Sequence, residues 1–337
     1  MIAFVVPGRL NQLTGGYIYD AHIVAGLKRL GHRVAVKDLR GAEATRVFAS
    51  LPDEAVVIVD GLAGGVLPRE IARESHRLRF IALVHHPLAH ETGISKADAR
   101  RLWRSERETL QHVRHVVVTS PATASLLRRE YAVNARRVTC IEPGTDRAAA
   151  SRGSGRSLLS VGTLTPRKGH LALVRALARL KHVDWHLTCV GSLTRDPKTV
   201  RRVRAEIRKA GLEERISLVG ETSSHRRLRQ HYARAGVFVS PTEYEGYGMA
   251  VAEAIASGLP VVSTPTGAIR QIVGRDAGIL VPPGDVGALA AALERMLTDA
   301  RARRQFRAGA LRRRSALPTW PQAVRQMAAV VRKVAAE

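Results

Sequence analysis

Residues 237–263 read VFVSPTEYEGYGMAVAEAIASGLPVVS. The pattern is strand, loop, helix, turn, strand. Residues 237–239 form a short apolar run closed by Ser240-Pro241, a turn signal. A polar loop with two glycines follows, up to Gly248. Residues 249–256 are rich in alanine and free of helix breakers, so they predict a helix. Gly258 supplies its C-terminal cap, and Pro260 forbids continuation. Val261-Val262 then opens a second buried strand.

The chemistry of this stretch lies in two carboxylates. Glu245 falls in the loop before the helix and Glu253 inside it. Eight residues of helix would rise roughly 12 Å. Between them, Gly246, Tyr247, Gly248 and Met249 bring the chain to a helix N-terminus. The free N–H groups and partial positive charge there suit a phosphate. An anion at the helix start with hydroxyl-rich groups on either side matches a sugar joined through a diphosphate to a ribose. Two isolated acids could equally be solvent-facing.

The run EGYGMAVAE, residues 245–253, resembles the Glu-x7-Glu motif of retaining, nucleotide-sugar-dependent glycosyltransferases of family 4. The flanks agree, Ser240-Pro241-Thr242 before it and ASGLPVV (256–262) after it. Tyr247 stands where Phe is usual. The resemblance implies a GT-B fold: α/β, with two Rossmann-like, doubly wound domains facing across a cleft. It also implies transfer of a hexose, with retention, from a nucleotide-diphosphate sugar to an acceptor hydroxyl on a glycolipid, polysaccharide or small molecule. Glu245 would orient the sugar and Glu253 the ribose.

The rest of the chain fits two such domains. Residues 2–6 (IAFVV) predict a strand, 18–30 a helix and 34–36 a second strand, the opening of a doubly wound domain. Gly15 and Gly16 lie in the first loop, where a backbone can approach a phosphate or sugar. The resemblance strengthens that reading. The Gly-x-Gly-x-x-Gly dinucleotide fingerprint is absent. Strands at 55–59 and 81–84 follow, the second ending in His85-His86-Pro87. A histidine there can bind a sugar hydroxyl or share a proton near neutral pH. His86, further beyond the strand, is taken as the catalytic candidate, with Glu91 and Thr92 after it; His85 is the alternative.

In the second half, 158–161 predict a strand and 162–169 (GTLTPRKG) the loop after it. Two cations here would seat a diphosphate. Lys168-Gly169 resembles the family's phosphate-binding pair. Thr163 occupies the position where many members carry an arginine, and Arg167 is the expected substitute. Gly220 and Glu221 follow a strand, and the resemblance implies that they lie near the base. The predicted boundaries are an N-terminal domain over 1–143, a linker over 144–157, a nucleotide-sugar domain over 158–317, and a helix over 318–337 crossing back to the first domain.

The chain has 337 residues and a formal charge of +25. Of this, +7 falls in residues 1–150 and +18 in the remainder. Its 54 basic residues include 46 arginines. Such an excess suits a polyanion or an anionic membrane surface, or reflects genome composition. Only 4% of residues are aromatic and no nucleic-acid motif is present, which argues against a nucleic-acid-binding protein. A nucleotide-sugar epimerase of the same fold is a further alternative. No apolar run approaches the roughly 18–20 residues of a membrane span. Cys140 and Cys189 are expected as buried thiols, in keeping with a cytoplasmic protein, peripheral at most at the inner membrane face. No metal motif is present, and neither a cofactor nor a metal is expected beside the nucleotide-sugar co-substrate.

Overall fold

Runs such as IAFVV and VVIVD have no polar face, so they belong in the middle of a sheet covered on both sides. The computed structural model, which describes residues 1–39, 43–222 and 224–337, builds two such sheets. The chain divides into one unit of Met1–Gly144 with Pro318–Glu337, and a second of Thr145–Leu317.

The first unit runs β1 (Ile2–Val6), α1 (Gly15–Arg29), β2 (Val34–Asp38), α2 (Ala44–Ala49), β3 (Val56–Asp60), α3 (Gly61–Gly64), α4 (Pro68–Glu74), β4 (Arg79–Val84), α5 (Lys96–His112), β5 (His115–Val118), α6 (Pro121–Glu130) and β6 (Val138–Cys140). Its strands lie parallel in the order β2-β1-β3-β4-β5-β6.

The second unit runs β7 (Ser157–Val161), α7 (His170–Ala178), β8 (His186–Val190), α8 (Pro197–Ala210), β9 (Ile216–Gly220), α9 (His225–Arg234), β10 (Val237–Ser240), α10 (Met249–Ala256), β11 (Val261–Ser263), α11 (Ile269–Val273), β12 (Gly278–Leu280), α12 (Val286–Thr298) and α13 (Ala300–Arg313). Its order is β9-β8-β7-β10-β11-β12, again parallel. Successive residues of a strand alternate between two cores. Val237 and Val239 enter one with Leu158, and Phe238 enters the other with Leu159. The strand order reverses between β1 and β3 in the first sheet and between β7 and β10 in the second. Ligands of open parallel sheets bind at the carboxyl ends of strands at such reversals.

The last helix, α14 (Trp320–Ala336), starts with a capping box between Thr319 and Gln322 and packs on α1, β3 and β4 of the first unit. It buries Trp320, Val324, Met327 and Val331, each worth roughly 1.5–3 kcal/mol. The stretch 144–157 read as the linker is not loose. Ser151 N–H donates to Ser257 O at 2.8 Å and Arg152 N–H to Ala233 O at 2.9 Å. Backbone bonds hold it to the second unit, so its small residues carry no apolar signal. Cys189 is a buried free thiol and Cys140 a half-buried one. Among the described residues no helix is long and apolar enough to cross a membrane.

Many arginines have a structural task. Their guanidinium forks donate to the open carbonyls at helix ends. Arg77 reaches Phe48 O and Leu51 O after α2, both at 2.8 Å. Arg137 reaches Leu110 O and Val113 O after α5. Arg303 reaches Met296 O and Leu297 O in α12, and Arg313 reaches Gln271 O and Ile272 O in α11. Arg215 binds the carbonyls of Lys181, Val183 and Trp185 and lies 3.9 Å above the Trp185 ring. Replacing Arg215 with Lys keeps the charge but loses the fork and the stacking. We expect Arg215→Lys to cost about 1–3 kcal/mol in urea denaturation. An unchanged midpoint would show that charge alone suffices.

Candidate active site

In the second unit, the loops after β7 and β10 meet at the strand-order reversal. Gly169 makes this possible. It caps α7 with a left-handed φ of 69°, and a Cβ there would overlap the Pro241 carbonyl oxygen. The two loops are then tied together. Glu243 N–H donates to Arg167 O at 2.8 Å, and Thr242 Oγ1 lies 2.9 Å from the same oxygen. The Thr264 hydroxyl reaches across from beyond β11 to Thr242 O at 2.5 Å.

This packing brings three sequence-predicted residues together. Lys168 Nζ forms an ion pair with Glu245 Oε1. Arg167 Nη1 lies 3.4 Å from Glu245 Oε2 and donates to Tyr244 O at 2.9 Å. The stem of Lys168 crosses Gly162, where a Cβ would stand 3.3 Å from its Cδ and Cε. All three side chains are mostly buried, so these charges interact more strongly than a surface pair would.

Gly248 caps α10 with a left-handed φ of 100°, and a Cβ there would stand 2.9 Å from Ile269 Cγ1. The helix begins only at Met249. The rise estimated for eight helical residues therefore does not apply to the Glu245–Glu253 pair, since half of that span is turned loop. Glu253 receives the Tyr232 hydroxyl at 2.8 Å. Burial pushes its carboxyl up to about 7, against the lowering effect of that hydrogen bond. Gly246 and Tyr247 are buried in the loop. Gly220 has a left-handed φ of 84°, and Glu221 after it pairs with Arg195 at 3.6 Å. They follow the edge strand β9, two strands or about 10 Å from β7.

Sequence reasoning missed His170, the first residue of α7. It is buried, neither ring nitrogen has a hydrogen-bond partner among the described residues, and burial beside Lys168 pushes it down to about 4. It stays neutral beneath the cations. A histidine after Lys-Gly carries no sequence signal beyond a helix start.

In the first unit the reversal lies between β1 and β3, and the loops there hold a second cluster. His85 Nε2 stands 3.1 Å from Asp20 Oδ1 and 3.3 Å from Asp60 Oδ2. Asp60 Oδ1 accepts from Leu62 N–H at 2.8 Å, capping α3. Both aspartates are buried. This is the one trio of Asp, Glu, His or Cys among the described residues whose donor atoms lie within 4.8 Å of one another. Burial alone would lower the His85 pKa, but Asp20 and then Asp60 outweigh it and hold it up at about 10. Gly16 faces the ring, a Cβ there standing 3.2 Å from His85 Cδ2, and Gly15 begins α1 beside it. His86, the histidine chosen from sequence, instead lies 3.1 Å from Glu91 Oε2, whose other oxygen accepts from Thr92 N–H. It is His85 that the structure brings to the Gly15-Gly16 loop. Asp20 and Asp60 had no signal in the sequence, lying in a helix and at a strand end.

Glu106 of α5, also unmarked by the sequence, anchors the loop after β4. It accepts from Leu88 N–H at 2.8 Å and from the Tyr131 hydroxyl at 3.1 Å. Gly65 leaves it room, since a Cβ there would stand 2.8 Å from Glu106 Cγ. Burial pushes this carboxyl up to about 7.

Two family models match the chain. The model described as "Glycosyl transferases group 1" matches residues 145–313, and that described as "Glycosyltransferase Family 4" matches residues 54–149. The chain belongs to the family 4 glycosyltransferases. It is 29% identical over 314 residues to the MMP alpha-(1->4)-mannosyltransferase of Mycolicibacterium hassiacum, covering 87% of this chain and 74% of that protein. It is 27% identical over 248 residues to the lipopolysaccharide core biosynthesis mannosyltransferase LpcC of Rhizobium leguminosarum bv. viciae, covering 71% and 66%. Among solved structures it superposes on sucrose-phosphate synthase from Thermosynechococcus elongatus with a TM-score of 0.83, at 22% identity over 99% of both chains. It superposes on Anabaena HepE in complex with UDP-glucose with a TM-score of 0.79, at 17% identity over 98% and 99%. The fold of this glycosyltransferase is GT-B, with two Rossmann-like parallel-sheet domains.

The raised carboxyls make a prediction for this glycosyltransferase. A folded-state pKa above the unfolded value gives stability that is present below about pH 4.5 and lost as pH rises through about 7. Glu106 and Glu253 both act in this direction. In Glu106→Gln, urea denaturation between about pH 5 and about pH 8 should show roughly half the wild-type change attributable to the pair. An unaltered pH dependence would mean that Glu106 ionises normally.

Proposed function

We propose that this glycosyltransferase moves a hexose, with retention of configuration, from a nucleoside-diphosphate sugar to an acceptor hydroxyl, without a metal. The observation that carries the reading is the Arg167–Lys168–Glu245 cluster at the strand-order reversal of the second sheet. Here Glu245 is the anion both cations hold. A donor diphosphate would take its place, and Glu245 would then accept from hydroxyls of the sugar. In the reaction the bond from the sugar's C1 to the diphosphate oxygen breaks, and the nucleoside diphosphate leaves with the electron pair. Lys168 and Arg167, with the N-terminus of α10 after Gly248, would neutralise it. The acceptor oxygen bonds to C1, and its proton passes to the departing diphosphate oxygen. Glu253, steadied by Tyr232, would hold the ribose.

Support for a nucleotide-sugar donor comes from relatives. One is named for GDP-mannose, the GDP-mannose:cellobiosyl-diphosphopolyprenol alpha-mannosyltransferase of Komagataeibacter xylinus, at 29% identity over 63% of this chain and 54% of that protein. The HepE structure holds UDP-glucose. The two point to different bases, so the base must come from experiment.

A thermal-shift screen against UDP-, GDP- and ADP-hexoses, with and without EDTA, tests the reading. One donor should raise the melting temperature equally under both conditions. With that donor, Lys168→Ala should lower kcat about a hundredfold, and Glu253→Ala should mainly raise the donor KM. Binding of no donor, or unchanged kinetics in both variants, would refute it.

A further inference from the structure

The cations at the second sheet's reversal explain how a diphosphate is held. They leave unexplained why two buried carboxylates converge on one histidine at the reversal of the first sheet. We propose that Asp20 and Asp60 are positioning residues that hold His85 as a doubly protonated imidazolium, so that it serves a substrate oxygen as a fixed N–H donor and not as a base. The proposal rests on the glycosyl-transfer reading for its role, but not for its geometry.

That geometry fixes the ring from several sides. Nε2 faces Asp20 Oδ1 at 3.1 Å and Asp60 Oδ2 at 3.3 Å. Asp60 cannot turn away, because its other oxygen caps α3 through Leu62 N–H. The ring lies against Gly16, and the edge of Tyr19 packs on it with centroids 5.3 Å apart. The His85 carbonyl accepts from Thr119 Oγ1 at 3.2 Å. Tyr19 is itself tied to Ile141 O at 3.1 Å. Both carboxylates face Nε2, and the His85 side chain keeps 17% of its surface exposed.

Charge balance then decides the protonation state. A neutral imidazole with its proton on Nε2 would leave two buried carboxylates with no compensating charge, which costs several kcal/mol. A second proton on the ring supplies one positive charge, which offsets one of the two carboxylates, and turns Nδ1 into a charged donor, the stronger kind of hydrogen-bonding group. The titratable groups around the ring are few. Asp20 and Tyr19 come from α1 and Asp60 from β3. Cys140 of β6 lies close enough to Tyr19 to raise its hydroxyl pKa, and its own thiol is pushed up to about 12. On the same loop, His86 is engaged with Glu91. Asp20 is pushed up to about 6, chiefly by burial, so near neutral pH it is the carboxylate partner of the imidazolium.

The test is an NMR titration of protein labelled with 15N-histidine, with the His85 signal assigned by His85→Gln. It needs neither donor nor acceptor, so it stands even if no nucleotide sugar is turned over. Both ring nitrogens should keep the imidazolium shift from about pH 6 to about pH 8.5, and in Asp20→Asn or Asp60→Asn the ring should titrate near its ordinary value of about 6.5. A wild-type ring that is neutral at about pH 7.5 would overturn the proposal. So would a signal that changes with EDTA and returns with Mg2+ or Zn2+, since a metal would then sit between the carboxylates. Where a donor is turned over, kcat/KM of the Asn variants relative to wild type should fall about fiftyfold between about pH 6.5 and about pH 8.5. An equal loss at every pH would mean that the aspartates hold only the ring's place and not its charge.

Discussion

The Arg167–Lys168–Glu245 cluster depends on a backbone contact that only glycine allows. Gly169 turns left-handed against the Pro241 carbonyl, and so the loop after β7 can lie on the loop after β10. Arg167 and Lys168 then reach Glu245, which stands 77 residues away in sequence from Lys168. Similar close approaches knit the neighbouring strand ends. A Cβ at Gly191 would overlap the Gly162 carbonyl, and one at Gly267 would overlap the Glu245 carbonyl. The side-chain chemistry of the site is therefore built on a floor of bare backbone.

The two units solve one architectural problem with different strand orders. In each, a parallel sheet reverses its order and leaves a notch at the carboxyl ends of its strands. The second notch carries two cations around one carboxylate, a set with net positive charge that suits an anionic leaving group. The first carries two carboxylates around one imidazole, a set that is neutral or negative. The two notches thus have opposite electrostatic character.

Much of this was legible in the sequence where the signal is local. The apolar runs marked β1, β3, β4, β7 and β10, because strands buried on both faces have no polar period. Lys168-Gly169 and the Glu245–Glu253 run stood out because loop, glycine and helix start follow one another directly. Two kinds of feature escaped. One is a side chain made functional only by tertiary contact. Asp20 reads as a helix residue, Asp60 as a strand end and Glu106 as one charge among many on α5, until distant segments meet. The other is order held by backbone alone. Residues 144–157 look like a loose connector because hydrogen bonds such as Ser151 N–H to Ser257 O leave no trace in composition.

The arginine forks at the helix ends bear on how this sequence can drift. Once a guanidinium closes a helix terminus, as Arg137 does for α5 and Arg313 for α11, the return to lysine removes hydrogen bonds that an ammonium cannot rebuild. The substitution then behaves as a ratchet. Part of the basic character of this chain is therefore structural, whatever the surface binds.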